Sequence, residues 1–277
     1  MKKGLVMALS LTLVLSFASC GNNGTADSSA SSEEVSSVAS ESKDDASVES
    51  TEEVSSEAEN SDVAGETVMS YAEYVAAELD SPVVIEAYVQ AHQSWWDNKI
   101  TVYAADEDGA YFIYNMTCTE EQSEKLVPGT KIKVTGYKTE WSGEVEIAEG
   151  ATFEIEDGSY IAEATDVTDL LGTDDLINYQ NQFVSFKGMT VEASEGGAAY
   201  LYNWDGSGSA DSNSDLYFNV SLNGQTYTFT VESYLCDNTT DVYKTVEGLK
   251  VGDVIDMEGF LYWYNGVNPH ITSVTVK

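Results

Sequence analysis

The sequence predicts an all-β protein with short helices, in which two similar five-stranded units follow a disordered tether. Three observations lead there: a change of composition near residue 66, an internal repeat, and the order of the strand-like segments. The chain of 277 residues is 42% hydrophobic and 11% aromatic, yet its formal net charge is −36. Because disordered chains of such charge contain few aromatic residues, part of this chain must bury a core.

The N-terminus has the pattern of a secretory signal: two lysines, an apolar run shorter than a membrane span, and small residues before Cys20. The segment from Phe17 to Gly21 resembles the lipobox of bacterial lipoproteins, although that family usually has Leu at the position of Phe17. The resemblance implies a signal peptide over 1–19 and fatty-acyl groups, such as palmitate, on Cys20. It also implies a mature chain anchored outside the cytoplasm; an ordinary signal peptide with a chance cysteine is the alternative.

Residues 20–66 are rich in serine and glutamate and contain no aromatic residue. Such a segment cannot bury enough apolar surface to offset its chain entropy. We therefore predict a disordered tether between the lipid anchor and the folded part of the chain.

The internal repeat aligns residues 126–143 with residues 249–266 at an offset of 123. Glycines coincide with glycines and apolar positions with apolar positions, whereas Lys133 of the first copy corresponds to Asp256 of the second. This is the behaviour of half-buried strands, in which one face is packed and the other is free. We predict two independent domains, over residues 67–160 and 161–277.

Each copy has the same order of predicted elements: three strands, a short helix and two strands. In the first copy Ser70 begins a leading helix over 71–79, the strands lie at 83–91, 99–105, 110–117, 130–139 and 144–156, and the inner helix lies at 119–126. In the second copy a helix is predicted at 166–172, strands at 182–193, 215–222, 225–232, 253–263 and 268–276, and a helical connector at 238–248, while residues 198–214 are an insertion.

This order is that of the OB-fold, a partly open five-stranded Greek-key barrel. Residues 67–277 resemble a tandem of the OB-like modules found in bacterial surface lipoproteins. Glycines in the fourth strand of each copy suit the sharp bend of that strand. A repeat of small β-sandwiches is the structural alternative.

The sequence contains no recognisable catalytic motif. There is no phosphate-binding loop, nucleophile elbow or metalloprotease helix, and His92 and His270 lie in different copies without a motif-like partner nearby. Cys118 and Cys236 follow the third strand of their copies, and two separate thiols are favoured over a disulfide. We therefore expect neither an enzyme nor a cofactor.

Aromatic residues in two kinds of loop are the candidate ligand contacts. They follow the first strand of the first copy or the fourth strand of either copy, where an OB-fold flanks its binding face; they are Trp95, Trp96, Trp141, Tyr262, Trp263 and Tyr264. The alternative is that these rings fill the barrels. Asp205, Asp211 and Asp215 form a weak candidate calcium loop that lacks the glutamate and glycine of an EF-hand, so a flexible polar loop is favoured over a metal site.

These observations predict a non-enzymatic, lipid-anchored surface protein that binds a glycan or another uncharged polar molecule, and we expect a monomer. A protein-interaction or structural module of the cell envelope is the alternative. Binding of single-stranded nucleic acid is disfavoured, because affinity for phosphate depends on lysine and arginine. Nine of the chain's twelve lysines lie beyond residue 66 and it has no arginine.

Overall fold

The computed structural model describes residues 67–277. The predicted signal peptide, Cys20 and the tether over 20–66 lie outside the described residues. Within the described part, no helix is long and apolar enough to cross a membrane.

The first barrel is built from residues that alternate between its interior and its surface. Its strands are β1 (Pro82–His92), β2 (Lys99–Ala105), β3 (Ala110–Thr117), β4 (Thr130–Trp141), β5 (Glu144–Ile147) and β6 (Thr152–Ser159). The hydrogen-bonded order is β1-β2-β3-β5-β4, and the antiparallel pair β1–β4 closes it. The β3–β5 pair is parallel. This is the predicted Greek-key barrel.

The second barrel repeats this topology with a longer connection between its first two strands. Its strands are β7 (Thr165–Asp166), β8 (Phe183–Glu192), β9 (Leu201–Tyr202), β10 (Leu216–Leu222), β11 (Gln225–Val231), β12 (Val254–Phe260) and β13 (His270–Val276). The order β8-β12-β13-β11-β10 is closed by β8–β10, and the β11–β13 pair is parallel. The two chain segments therefore form tandem OB-like barrels, and the β-sandwich alternative is wrong.

The helices are short and each begins at a polar cap. They are α1 (Tyr71–Ala76), α2 (Glu120–Ser123) and α3 (Asp241–Glu247). Ser70 and Glu73 form a capping box at the start of α1. This helix ends before the predicted residue 79, because Ala77 is extended and the ammonium group of Lys138 binds the carbonyl oxygens of Tyr74, Val75 and Ala77.

Two further predicted elements differ from the structure in kind rather than in length. The helix predicted over 166–172 is replaced by β7 and by two 3-10 turns, Thr168–Leu170 and Asp174–Tyr179. The single strand predicted over 144–156 is divided into β5 and β6 by a turn at Gly150, whose φ is 89°. The interruption lets β5 pair with the end of β4 while β6 pairs with its beginning.

The glycine shared by the fourth strands lies where neighbouring atoms crowd the backbone of the strand. A Cβ atom at Gly259 would lie 2.2 Å from the carbonyl oxygen of His270, and one at Gly136 would lie 2.7 Å from Cγ2 of Ile147. The strand register also shifts between Glu258 and Gly259. At both positions the neighbouring atoms leave no room for a side chain.

A third apolar cluster joins the two barrels. Along β2 and β3 the side chains of Val102 and Ile113 fill the interior of the first barrel, whereas Tyr103 and Phe112 point outward. These two rings pack against Phe260 of the second barrel. The outer face of β2–β3 in the first barrel is thus covered by the second barrel, and that face is the one an OB-fold ordinarily offers to ligands.

Candidate functional site

An open cleft of about 1070 Å³ lies on the corresponding strands of the second barrel, β10 and β11. The β8–β10 connection, the β12–β13 loop and the β4–β5 hairpin of the first barrel form its walls. Its lining combines aromatic rings with hydroxyl, amide and carboxyl groups: Trp141, Ser194, Glu195, Leu201, Trp204, Asp215, Tyr217, Asn219, Thr228, Thr230, Glu232, Tyr262, Tyr264, Val267, Asn268 and His270. We call this the β10–β11 cleft.

The polar side chains on the strands are held in place by hydrogen bonds to one another. Thr228 donates to Oδ1 of Asn219 at 2.8 Å, and Thr230 donates to Oδ1 of Asn268 at 2.9 Å. The oxygen of each amide therefore accepts a hydrogen bond from a neighbouring hydroxyl group. Because these polar groups are already ordered, they can orient a ligand without a further loss of side-chain conformational entropy on binding.

Two carboxyl groups at the end of the strands are also engaged. Asp215 accepts hydrogen bonds from the backbone N–H and the hydroxyl of Ser233, at 2.8 and 2.7 Å. Glu232 accepts from the backbone N–H groups of Tyr234 and Leu235. Burial and the charge of Asp215 raise the pKa of Glu232 to about 7, despite the two backbone hydrogen bonds that lower it.

A buried histidine lies between the cleft and the first barrel. Nδ1 of His270 is 2.6 Å from the hydroxyl of Tyr103, and its ring stacks on Tyr262 with centroids 4.3 Å apart. Burial lowers the pKa of His270 to about 3. The imidazole is therefore neutral at physiological pH, and the cleft gains no positive charge from it.

Exposed rings stand on both walls of the cleft. Trp204, in the β8–β10 connection, is 76% exposed, and Trp141, from the first barrel, is 55% exposed. The ring of Trp141 lies 5.1 Å from that of Tyr264, at an angle of 34°. Large rings left open beside a concave polar surface are suited to stacking against the flat face of a ligand.

The structure brings some of the predicted ligand contacts together and separates others. Trp141, Tyr262 and Tyr264 line the cleft. Trp263 lies beside it but packs against the core of the second barrel, and its backbone N–H donates to Glu144.

The two loop tryptophans of the first barrel do not join the cleft. The indole N–H of Trp95 donates to the carbonyl oxygen of Cys118 at 2.8 Å, and its ring packs on the first core. Trp96 is 70% exposed in a turn closed by its backbone pairing with Lys99. The structure thus gives Trp95 a packing role, whereas Trp96 is open to solvent but away from the other rings.

The sequence does not predict most of the other residues that line the cleft; Trp204, Tyr217, Asn268 and His270 are among them. Trp204 lies in the insertion over 198–214, for which the sequence predicts a flexible polar loop, although a tryptophan among small polar residues is itself a signal. Tyr217 and His270 alternate with core residues along β10 and β13. Nothing in the sequence shows that this face of the barrel stays open.

The two cysteines and the candidate calcium loop are the remaining predicted sites. Cys118 and Cys236 are separate buried thiols, as predicted. Oδ1 of Asp205 accepts the backbone N–H of Ser207, and Asp215 is bonded to Ser233. Among the described residues no group of three or more His, Cys, Asp or Glu side chains could hold a metal ion, so Asp205, Asp211 and Asp215 do not assemble into a calcium loop there.

No protein-family model and no curated protein sequence matches this chain. Among solved structures, a murine DNA-binding protein bound with double-stranded DNA is similar at 11% identity with a TM-score of 0.35, covering 71% of this chain and 96% of that one. The p202 HIN1 domain in complex with 12-mer double-stranded DNA covers 72% and 94%, at 12% identity and a TM-score of 0.32. An Ifi202 HINa domain in complex with 20-base-pair double-stranded DNA covers 72% and 96%, at 13% identity and the same TM-score.

These structures correct one expectation. From the net charge we expected nucleic acid to be an unlikely partner, but the three structures named above are complexes with double-stranded DNA. The expectation was therefore wrong as stated. At these identities the likeness concerns the fold alone.

Proposed function

We propose that the β10–β11 cleft binds a neutral, ring-containing polar ligand, with an oligosaccharide as the leading class. The observation that carries the proposal is the combination of exposed rings with fixed hydroxyl, amide and carboxyl groups in one open cleft. Aromatic rings stack on the apolar faces of sugar rings, and the polar groups can exchange hydrogen bonds with hydroxyls. OB-fold barrels use the same strand face and loops for oligosaccharides and oligonucleotides.

The electrostatics of the cleft support an uncharged ligand. Within the described part of the chain, none of the lining residues is a lysine, while Glu195, Asp215 and Glu232 contribute carboxyl groups. Carboxylates are strong acceptors for the hydroxyl groups of a sugar.

We propose a binding role rather than a catalytic one. Both oxygens of Glu232 accept backbone N–H groups, and Oδ1 of Asp215 accepts two hydrogen bonds from Ser233. These contacts hold the two carboxyl groups in the protein scaffold.

Nucleic acid is the second candidate ligand. It is favoured by the exposed rings of Trp141 and Trp204, because stacking of bases on aromatic side chains contributes about 1–3 kcal/mol per base in proteins that bind single strands. The two candidates differ in their response to salt, since binding to phosphate weakens steeply as salt rises and stacking on neutral sugars does not.

A parallel binding assay tests the proposal. The mature chain is applied to an array of neutral oligosaccharides and, in solution, to labelled single- and double-stranded DNA 20-mers at about 50 and 200 mM salt. We expect retained oligosaccharides, and a loss of affinity of about tenfold or more in Trp204→Ala, because one lost stacking contact is worth about 1.4 kcal/mol. Trp96→Ala, which removes an equally exposed indole outside the cleft, is the matched control and should bind as the wild type does.

If the protein binds DNA with an affinity that falls as salt rises, and no oligosaccharide on the array is retained, the ligand is nucleic acid rather than an oligosaccharide. Equal effects of Trp204→Ala and Trp96→Ala would show that the cleft is not the binding site.

We also propose that the protein is anchored to the outer side of the bacterial cell membrane through a lipidated Cys20. The lipobox resemblance around Cys20 supports this. Several acyl chains on one residue hold far more firmly than the single chain that binds marginally and reversibly. Cys20→Ser should therefore move the protein from the membrane fraction to the medium, and equal membrane retention of the variant would refute the anchor.

A further inference from the structure

One wall of the cleft is fixed to the first barrel. The backbone N–H of Asn265 donates to the carbonyl oxygen of Ser142 at 2.7 Å, and that of Trp263 donates to Oε2 of Glu144 at 2.8 Å. The β12–β13 loop, residues 261–269, therefore rests on the β4–β5 hairpin, whose Trp141 contacts Tyr264. The site belongs to both barrels.

The contact between hairpin and loop is tight. Gly143 has a φ of +93°, and a Cβ atom there would lie 2.9 Å from Cδ1 of Trp263. The indole of Trp263 thus packs directly on the turn of the hairpin. A displacement of either segment would also displace Tyr262 and Tyr264, which flank Trp263 in the sequence and line the cleft.

Glu144 lies at the centre of this contact with no exposed surface. Its Oε2 accepts hydrogen bonds from Trp263 and from Nε2 of Gln180, the latter at 3.2 Å. Its Oε1 is buried without a hydrogen-bond partner among the described residues. Burial raises the pKa of Glu144 to about 8, more than the hydrogen bonds lower it, and Glu146 raises it further.

The titratable groups around Glu144 do not neutralise its charge. Glu146, on the same strand, is itself buried, and burial raises its pKa to about 7. The neighbouring hydroxyls belong to Tyr74 of α1, Tyr103 of β2 and Tyr262 of the loop, and burial raises the pKa of each. Lys138 of β4 gives its ammonium hydrogens to three backbone carbonyl oxygens.

We infer that Glu144 is the positioning residue of the β10–β11 cleft: its protonated carboxyl group holds the β12–β13 loop against the hairpin, and its ionised form loosens that loop. An ionised carboxylate without a counter-charge is costly inside a protein, and the cost is relieved when the contact opens to water. The cleft wall is therefore assembled at acidic and neutral pH and loosens in alkaline solution. The effect on ligand affinity rests on the proposed function, whereas the effect on the loop does not.

The loop can be followed without a ligand. The five tryptophans give indole N–H signals in ¹H–¹⁵N spectra, and the backbone amide of Trp263 reports on its bond to Glu144. In the wild type we expect Trp141, Trp263 and the Trp263 amide to shift together with a midpoint near pH 8, while Trp95 does not move. Glu144→Gln keeps an acceptor oxygen and cannot ionise, so it should abolish this transition.

Glu140→Gln is the matched control, because it makes the same carboxyl-to-amide change at an exposed position of the same hairpin; it should keep the transition. If Glu144→Gln does not fold, the wild-type titration alone decides: absence of a shift at Trp263 between pH 7 and 9 overturns the inference. A transition that persists in Glu144→Gln also overturns it.

The ligand arm uses the oligosaccharide with the strongest array signal. Its affinity should fall about fivefold or more between pH 6.5 and 9 in the wild type and Glu140→Gln. In Glu144→Gln the fall should be clearly smaller, because only the ionisation of Glu232 in the cleft then remains in this pH range. A normal indole titration with no oligosaccharide bound at any pH would count against the proposed function and leave the positioning role standing.

Discussion

At the scale of single residues, neighbours in the sequence have opposite surroundings. Trp95 and Trp96 are adjacent in the same loop, yet Trp95 donates to the backbone of Cys118 and packs on the first core, whereas Trp96 is exposed. The sequence places both in a loop and cannot show which ring turns inward. Only the contact with the segment after β3, more than 20 residues away, distinguishes them.

Substituting the two tryptophans separately tests this difference. Trp95→Ala should lower the free energy of unfolding by about 2–4 kcal/mol, because its partly buried ring packs on the first core and its hydrogen bond is lost. Trp96→Ala should lower it by less than about 1 kcal/mol. Urea denaturation followed by circular dichroism measures both, and equal losses would show that the assignment of the two rings is wrong.

At the scale of elements, the periodicity of the sequence predicts most of the strands within a few residues. Alternating apolar residues predict β1, β2, β10 and β11, and Asn223 and Gly224, both with positive φ, form the predicted hairpin turn. The break between β5 and β6 could not be predicted, because their residues continue one alternating pattern. The burial of Glu144 could not be predicted either, because a glutamate beside a turn ordinarily faces water.

The β4–β5 hairpin should give the protein an unusual pH dependence. A carboxyl group with a pKa raised from 4.5 to about 8 binds its proton more tightly in the folded chain than in the unfolded chain. The stability that it contributes is therefore present in full below about pH 4.5 and is lost as the pH rises to 8. The free energy of unfolding of Glu144→Gln should therefore rise relative to that of the wild type between pH 5.5 and pH 8.5. The change in this difference should be on the order of 1–3 kcal/mol.

Denaturant unfolding at the two pH values measures this difference. Glu140→Gln serves again as the control, and its difference from the wild type should be small at both pH values. A wild-type protein that gains stability steadily from pH 5.5 to 8.5, with Glu144→Gln following in parallel, would contradict the buried carboxyl group.

At the scale of the whole molecule, the repeat predicts two barrels but does not show which of them has an open strand face. On the outer face of β2 and β3 the first barrel has Tyr103 and Phe112. On the equivalent strands β10 and β11 the second barrel has Tyr217, Asn219 and Thr228. The first set is apolar and covered by Phe260, while the second is polar and open. The aromatic character of Tyr103 and Phe112 could have been read as a buried face, but the partner that buries them lies about 150 residues further along the chain.

This shared face argues against the independent domains expected over 67–160 and 161–277. Separating them would expose Tyr103, Phe112 and Phe260 and open the contact of Glu144 with Trp263. We expect residues 67–277 to unfold in a single transition, and each fragment alone to have a lower melting temperature or to be unfolded. Calorimetry of the intact chain and of both fragments tests this, and two transitions matching those of the isolated fragments would restore the independent-domain prediction.

The stoichiometry of ligand binding tests the account most directly. Because the first barrel's strand face is covered and the second supplies the open cleft, isothermal titration of the mature chain with the oligosaccharide from the array should give one site per chain. Trp204→Ala, on the second barrel, and Trp141→Ala, on the first, should each weaken that site by about tenfold, while Trp96→Ala leaves it unchanged. Two equivalent sites, or a site indifferent to both Trp141 and Trp204, would contradict a single cleft assembled from both barrels.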